Sequence, residues 1–166
     1  CIRDSLDILP LRGNIETRMS YVERGELDAI VLAYAGLCRG GYAERATEVF
    51  DPATLMPAPA QGALAVECRA DDAATRAALD ALVSAEATAC AAAERQVLAT
   101  LEAGCTAPVA AYAELGERGA LTLHAGVFAV DGSAQLVETL TGTDAAALGR
   151  EAAEKLLERG AADIME

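Results

Sequence analysis

The sequence predicts two architectures in series: an α/β layer with parallel strands, then a small α+β domain whose three-stranded antiparallel sheet packs on helices. Three observations predict this. Strand-like and helix-like stretches alternate up to residue 41, and Met56-Pro57-Ala58-Pro59-Ala60-Gln61-Gly62 interrupts any regular element. From Ser84, an Ala-rich helical stretch is followed by three alternating segments separated by glycine turns. At 166 residues the chain is long enough for one real core or two small domains.

Residues 8–11 (Ile-Leu-Pro-Leu) read as a short strand ending at Arg12-Gly13-Asn14. Asn14 caps a helix over about 15–24, which Gly25 closes. Asp28 to Ala33 is an almost unbroken apolar run, the pattern of a strand covered on both faces. A short helix runs on to Arg39-Gly40-Gly41. The Arg-Gly-Asn turn stands where a strand ends and a helix begins, the place where open α/β sheets bind anions. Past the proline-rich break, residues 63–68 are strand-like, and Asp71-Asp72 caps a further helix.

Residues 85–103 are helical, with Val97, Leu98 and Leu101 on one stripe and Gly104 as the C′ residue. Strands follow at about 107–115, 120–130 and 134–141, with turns at Gly116-Glu117-Arg118-Gly119 and Asp131-Gly132-Ser133. In the middle strand Leu121, Leu123, Ala125, Val127 and Ala129 share one face. A last helix over about 144–159 carries Leu148, Ala152 and Leu156 at helical spacing.

Composition excludes several classes. The net charge of −13 argues against nucleic-acid binding, which needs a basic patch. No run of eighteen apolar residues exists and the first residues are no signal peptide, so neither a membrane span nor secretion is expected. The cysteines, at 1, 38, 68, 90 and 105, form no C-x-x-C pair, which fits a reducing cytoplasm and gives no zinc knuckle. His124 has no Cys or His neighbour, so no metal site is expected there. The acidity is uneven: residues 1–69 carry seven Arg against ten acids, residues 70–166 six bases against sixteen. All basic residues but Lys155 are Arg, whose planar fork clamps carboxylates and phosphates. The opening Cys1-Ile2-Arg3-Asp4 reads as the interior of a larger protein.

Four motifs stand in register. They are Leu11-Arg12-Gly13-Asn14-Ile15-Glu16-Thr17-Arg18, Asp28 through Leu37-Cys38-Arg39, Pro59-Ala60-Gln61-Gly62 through Arg69, and Glu94-Arg95 through Gly104-Cys105-Thr106-Ala107-Pro108-Val109. Together they resemble the porphobilinogen deaminases (hydroxymethylbilane synthases) of tetrapyrrole and haem biosynthesis, over essentially the whole chain.

The resemblance implies a transferase that deaminates porphobilinogen and joins four units into hydroxymethylbilane. It implies that residues 1–56 are part of a second domain, a lobe like those of periplasmic binding proteins, and 57–62 a hinge. Residues 63–80 would be a segment returning to the first domain, and 85–166 the cofactor-carrying third domain. Cys105 matches the cysteine that holds a dipyrromethane through a thioether. Arg12, Gly13, Arg18, Arg39, Gln61 and Gly62 match cofactor- and substrate-binding positions. Each pyrrole unit brings two carboxylates, so a growing chain is a polyanion that needs forked cations along its path. Arg69 is expected to pair with Glu67 or another neighbour. Lying beyond a helix C-terminus, where the dipole is negative, Cys105 gains no activation from that helix.

The catalytic acid/base aspartate belongs to the first domain, so no catalytic residue is expected in this chain and no turnover from it alone. The expected partners are porphobilinogen and linear polypyrroles. The parent protein is expected to be monomeric, and the cofactor to be absent from this piece unless its site is formed. The segment 63–68, without its home sheet, is expected to be disordered, re-paired within the chain, or paired with another copy. The sequence departs from the family at Gly40, Ala60 and Ala110, where leucine, glycine and glycine are usual. Two other classes compete: a non-catalytic anion-binding module, and an interaction domain built on residues 84–166.

Overall fold

Alternation along residues 109–142 forces one face of a sheet to be apolar, and two helices supply the apolar stripes that cover it. The computed structural model describes residues 6–104 and 106–165. Its described residues divide into two units, 6–51 and 52–165.

In the larger unit, α3 (Ala73–Asp80) and α4 (Ala85–Thr100) precede β1 (Val109–Leu115), β2 (Leu121–Phe128) and β3 (Gln135–Gly142), and α5 (Ala145–Glu158) and α6 (Ala161–Met165) close the chain. The sheet is antiparallel in the order β1-β2-β3, with Ala111 opposite Ala125 and Leu123 opposite Leu140. Leu121, Leu123, Ala125 and Val127 point to the helices and are at most 1% exposed, as the alternation predicts. Ala93, Val97 and Leu101 of α4 and Leu148, Ala152, Ala153 and Leu156 of α5 complete the core. Alanine on both helices permits a close crossing. A Cβ on Gly149 of α5 would stand 2.3 Å from the Ala93 carbonyl oxygen of α4, so only glycine fits there. On the outer face, the Phe128 ring lies where a Cβ of Gly126 would be.

Sequence-predicted caps hold at Asn14, whose side chain accepts the Thr17 N–H at 2.8 Å, and at Asp72, which accepts that of Thr75. Ser84 and Asp144 cap α4 and α5 in the same way. The C-terminus of α4 corrects the expectation for Gly104. Glu102, at φ 52°, is the left-handed residue, and the Ala103 N–H returns to the Leu98 carbonyl. That is a Schellman closure, set where the apolar stripe ends at Leu101 and two residues before the glycine.

The smaller unit contains α1 (Ile15–Glu23), α2 (Tyr34–Gly40) and a single 3-10 turn at Ala43–Arg45. Tyr42 donates to Glu16, and Arg45 pairs with Glu23, tying that turn to α1. The departure at Gly40 has a local cause: a Cβ there would stand 2.8 Å from the Tyr42 ring.

The parallel strands expected at 8–11 and 28–33 do not form, and the strand-like segment 63–68 stays unladdered as well. Among the described residues the antiparallel sheet alone is present, and these segments are extended and unladdered. Ile8 is 58% exposed, Val31 69% and Leu64 81%. Apolar runs encode strands that are covered on both faces, and a strand exists only where a neighbour takes its N–H and C=O groups. Among the described residues 63–68 pairs with no other strand, so re-pairing, one of the three outcomes expected for it, is not seen there.

Candidate functional site

Arg12 precedes α1 on a turn that Gly13 makes possible: its φ of 119° lies where side chains are disfavoured. The turn leads directly into the Asn14 cap, so Arg12 stands at the positive end of α1. Arg18 lies on α1 one turn further on, half-buried, beside the buried Met19. Its Nε is buried without a hydrogen-bond partner. A guanidinium N–H withdrawn from water and left unpaired costs free energy, and a carboxylate is the group that relieves it. Arg39 lies exposed in the last turn of α2. The arginines that do pair are others: Arg24 with Glu26, Arg45 with Glu23 and Arg159 with Glu138. Residues 12, 18 and 39 are therefore three cations with no acid of this chain on them among the described residues. The orphaned Nε and the unneutralised forks fit a group that carries several carboxylates.

Gln61 and Gly62 belong to the other unit. They lie exposed in a turn in which the Gln61 N–H donates to the Ala58 carbonyl at 3.1 Å and the Ala63 N–H to that of Ala60. Ala60 itself sits at φ 57°, in the left-handed region, where the family's usual glycine would be unstrained. Cys105 lies outside the described residues. It falls between α4 and β1, where the Ala107 N–H donates to the Gly104 carbonyl at 3.1 Å.

Sequence reasoning missed Glu94. Its carboxylate is 7% exposed, the one charged side chain buried among the described residues. Oε2 accepts the Ala60 N–H at 2.6 Å and Oε1 the Ala113 N–H at 2.7 Å. Burial pushes its pKa up from 4.5, and the two N–H bonds oppose that rise without cancelling it. The available signal was a glutamate on the stripe shared by Val97 and Leu101. Cys90, one turn earlier on α4, has its thiol pushed up by burial first and then by the charges of Glu94 and Glu86. Its side chain packs, partly buried, against the core.

Arg69, expected to pair with Glu67 or another neighbour, is exposed and makes no ion pair among the described residues. Asp72 does cap α3, and His124 Nδ1 shares a hydrogen bond of 2.9 Å with Thr139 Oγ1 on β3. No group of acids, histidines and cysteines that could hold a metal occurs among the described residues. No helix among the described residues is long and apolar enough to cross a membrane.

Comparison with known proteins agrees along almost the whole chain. The family model described as porphobilinogen deaminase, dipyromethane cofactor binding domain, matches residues 1–77. The model described as porphobilinogen deaminase, C-terminal domain, matches residues 88–158. Porphobilinogen deaminase of Corynebacterium glutamicum is 58% identical over 168 residues, covering 99% of this chain and 56% of that protein. That of Corynebacterium diphtheriae is 55% identical, with 99% and 56% covered. That of Thermobifida fusca is 48% identical, with 99% and 54% covered. The chain thus spans about half the length of the curated relatives it matches, and it belongs to the porphobilinogen deaminase family.

Proposed function

We propose that this chain is the part of a hydroxymethylbilane synthase that carries the primer and grips the growing polypyrrole. The observation that carries the reading is the set of unneutralised arginines on α1 and α2, above all the buried, unpartnered Nε of Arg18. Arg12, Arg18 and Arg39 would take the carboxylates of cofactor and substrate, and the Gly13 turn would let the ligand approach the α1 N-terminus. Cys105 would anchor the dipyrromethane through a thioether, with Gln61 and Gly62 beside it. When bound, that group is the primer that successive porphobilinogen units extend.

The same reading assigns residues 1–56 to a periplasmic-binding-protein-like lobe, 57–62 to a hinge, 63–80 to the first domain and 85–166 to the third. The extended segments 8–11, 28–33 and 63–68 would become strands when the remaining length of the protein supplies their neighbours. Their exposed apolar side chains, Leu64 and Val66 among them, support this. The catalytic acid/base would lie outside this chain, so the chain alone should form no hydroxymethylbilane. The whole enzyme would be a cytoplasmic monomer.

The test is the intact mass of the chain before and after incubation with hydroxymethylbilane, beside Cys105→Ser. A pyrrole adduct on the wild type alone is the expected result, and it should weaken in Arg18→Met. An equal adduct on Cys105→Ser overturns the anchor assignment.

A further inference from the structure

As the edge strand of its sheet, β1 turns the N–H groups of Ala111 and Ala113 outward, and bare edge N–H groups invite pairing with other chains. Both are taken. Ala111 donates to the Pro57 carbonyl at 3.1 Å, and Ala113 to Glu94 at 2.7 Å. The other oxygen of Glu94 accepts from Ala60, 34 residues away in sequence. A carboxylate from the helix layer thus joins the edge of the sheet to the proline-rich connector. The bond to Ala60 falls on the strained residue of the turn, at φ 57°. An alanine tends to leave the left-handed region unless something holds it there.

We propose that Glu94 is a positioning residue: by holding the Ala58–Gln61 turn against the outer edge of β1, it fixes where Gln61 and Gly62 stand for the cofactor. The inference rests on the reading of Gln61 and Gly62 as cofactor-binding residues. The chemistry demands a carboxylate there, because two N–H donors converge from different elements and a single side chain must accept both. Glutamine offers one acceptor oxygen, and its amide would face the second donor with an N–H. Aspartate is one methylene too short to span both from the same helical position.

Amide exchange on the intact chain tests the first half. In Glu94→Ala the amides of Ala60, Gln61, Ala111 and Ala113 should exchange at least tenfold faster, while those of Val97, Leu123 and Leu156 keep their rates. Glu94→Gln should fall between, because one of the two donors keeps a partner. Ala60→Gly in the Glu94→Ala background should recover part of the lost protection, since glycine adopts the turn unaided. A residue that serves only the core would not be rescued from the connector. Unchanged exchange at 58–61, or equal acceleration throughout the core, overturns the proposal.

The rate of pyrrole adduct formation with hydroxymethylbilane tests the second half. A severalfold slower adduct in Glu94→Ala, partly restored by Ala60→Gly, supports positioning. Wild-type speed with a loosened connector refutes it. Absence of adduct on the wild type counts against the primer-carrier reading instead, and the exchange pattern still decides whether Glu94 holds the turn.

Discussion

The two units of this chain carry similar apolar fractions of sequence into opposite outcomes. Residues 84–165 bury a continuous core, in which Leu121, Leu123, Val97, Val127 and Leu156 are nearly inaccessible. In residues 6–51 only Met19 and Leu37 are buried, and Leu6, Ile8, Leu9, Val31 and Val49 stand exposed. The difference lies in who completes whom. Helix, three strands and helix in the C-terminal region are mutual neighbours, so each ladder and each apolar stripe finds its partner within about eighty residues. The α/β region offers strands one at a time, with no second strand beside either. At roughly 1.5–3 kcal/mol for each large apolar side chain fully buried, the first region holds enough burial to offset its ordering entropy and the second does not.

Cutting the chain gives the largest effect and breaks the comparison if it fails. A polypeptide of residues 84–166 should unfold cooperatively on heating and keep its mixed α/β circular dichroism, while residues 6–51 should show no cooperative transition. A sharp transition in the short piece would mean that its two helices suffice as a core.

Substitution at the α4–α5 crossing comes next. Gly149→Ala places a methyl 2.3 Å from the Ala93 carbonyl oxygen and 2.7 Å from Gln96 Cβ, so the helices must separate. We expect a loss of about 3 kcal/mol in chemical denaturation, the upper range for overpacking. Leu37→Ala in the other unit should move the same transition by no more than about 1 kcal/mol, because Leu37 lies outside the core cluster that this transition reports.

A smaller effect depends on pH. Burial raises Glu94 above its ordinary 4.5, so the folded state holds a proton that the unfolded state has released. Its contribution to stability is complete below 4.5 and is lost as pH rises through the raised value. Measured against Glu94→Gln at each pH, the wild type should therefore lose relative stability over that window and stay level above it. A rising difference would mean that the two N–H bonds outweigh burial.

The smallest expected change is a gain. Glu102 closes α4 at φ 52°, where glycine pays no steric cost, so Glu102→Gly should add about 1 kcal/mol to thermal stability. No gain would place the strain elsewhere in the closure.

Local signals in the sequence were read correctly at most helix caps and along β2, though not at Gly104, where α4 closes two residues earlier, nor for Arg69, which does not pair with Glu67. Asn14 and Asp72 cap helices three residues ahead, and alternation from Leu121 to Val127 names the buried face of β2. The candidate cations at 12, 18 and 39 came from the family resemblance and not from the residues alone, and the structure adds that the Nε of Arg18 is buried and unmatched. Glu94 lies within a motif but shows no role in the sequence, because its partners, Ala60 and Ala113, are distant in sequence and are backbone groups of any residue type.

By itself, then, the sequence determined the family, the order of the helices, the three-stranded sheet and its inward face. The family rests on the resemblance carried by the four motifs in register, and the helices and strands on side-chain periodicity and capping, which act over a few residues. Tertiary structure alone decided that the runs at 8–11, 28–33 and 63–68 remain unpaired, that α4 closes at Glu102, and that Glu94 joins the connector to β1. Each of these depends on where a distant N–H, C=O or apolar surface ends up, and a pattern of residue types carries no such coordinate.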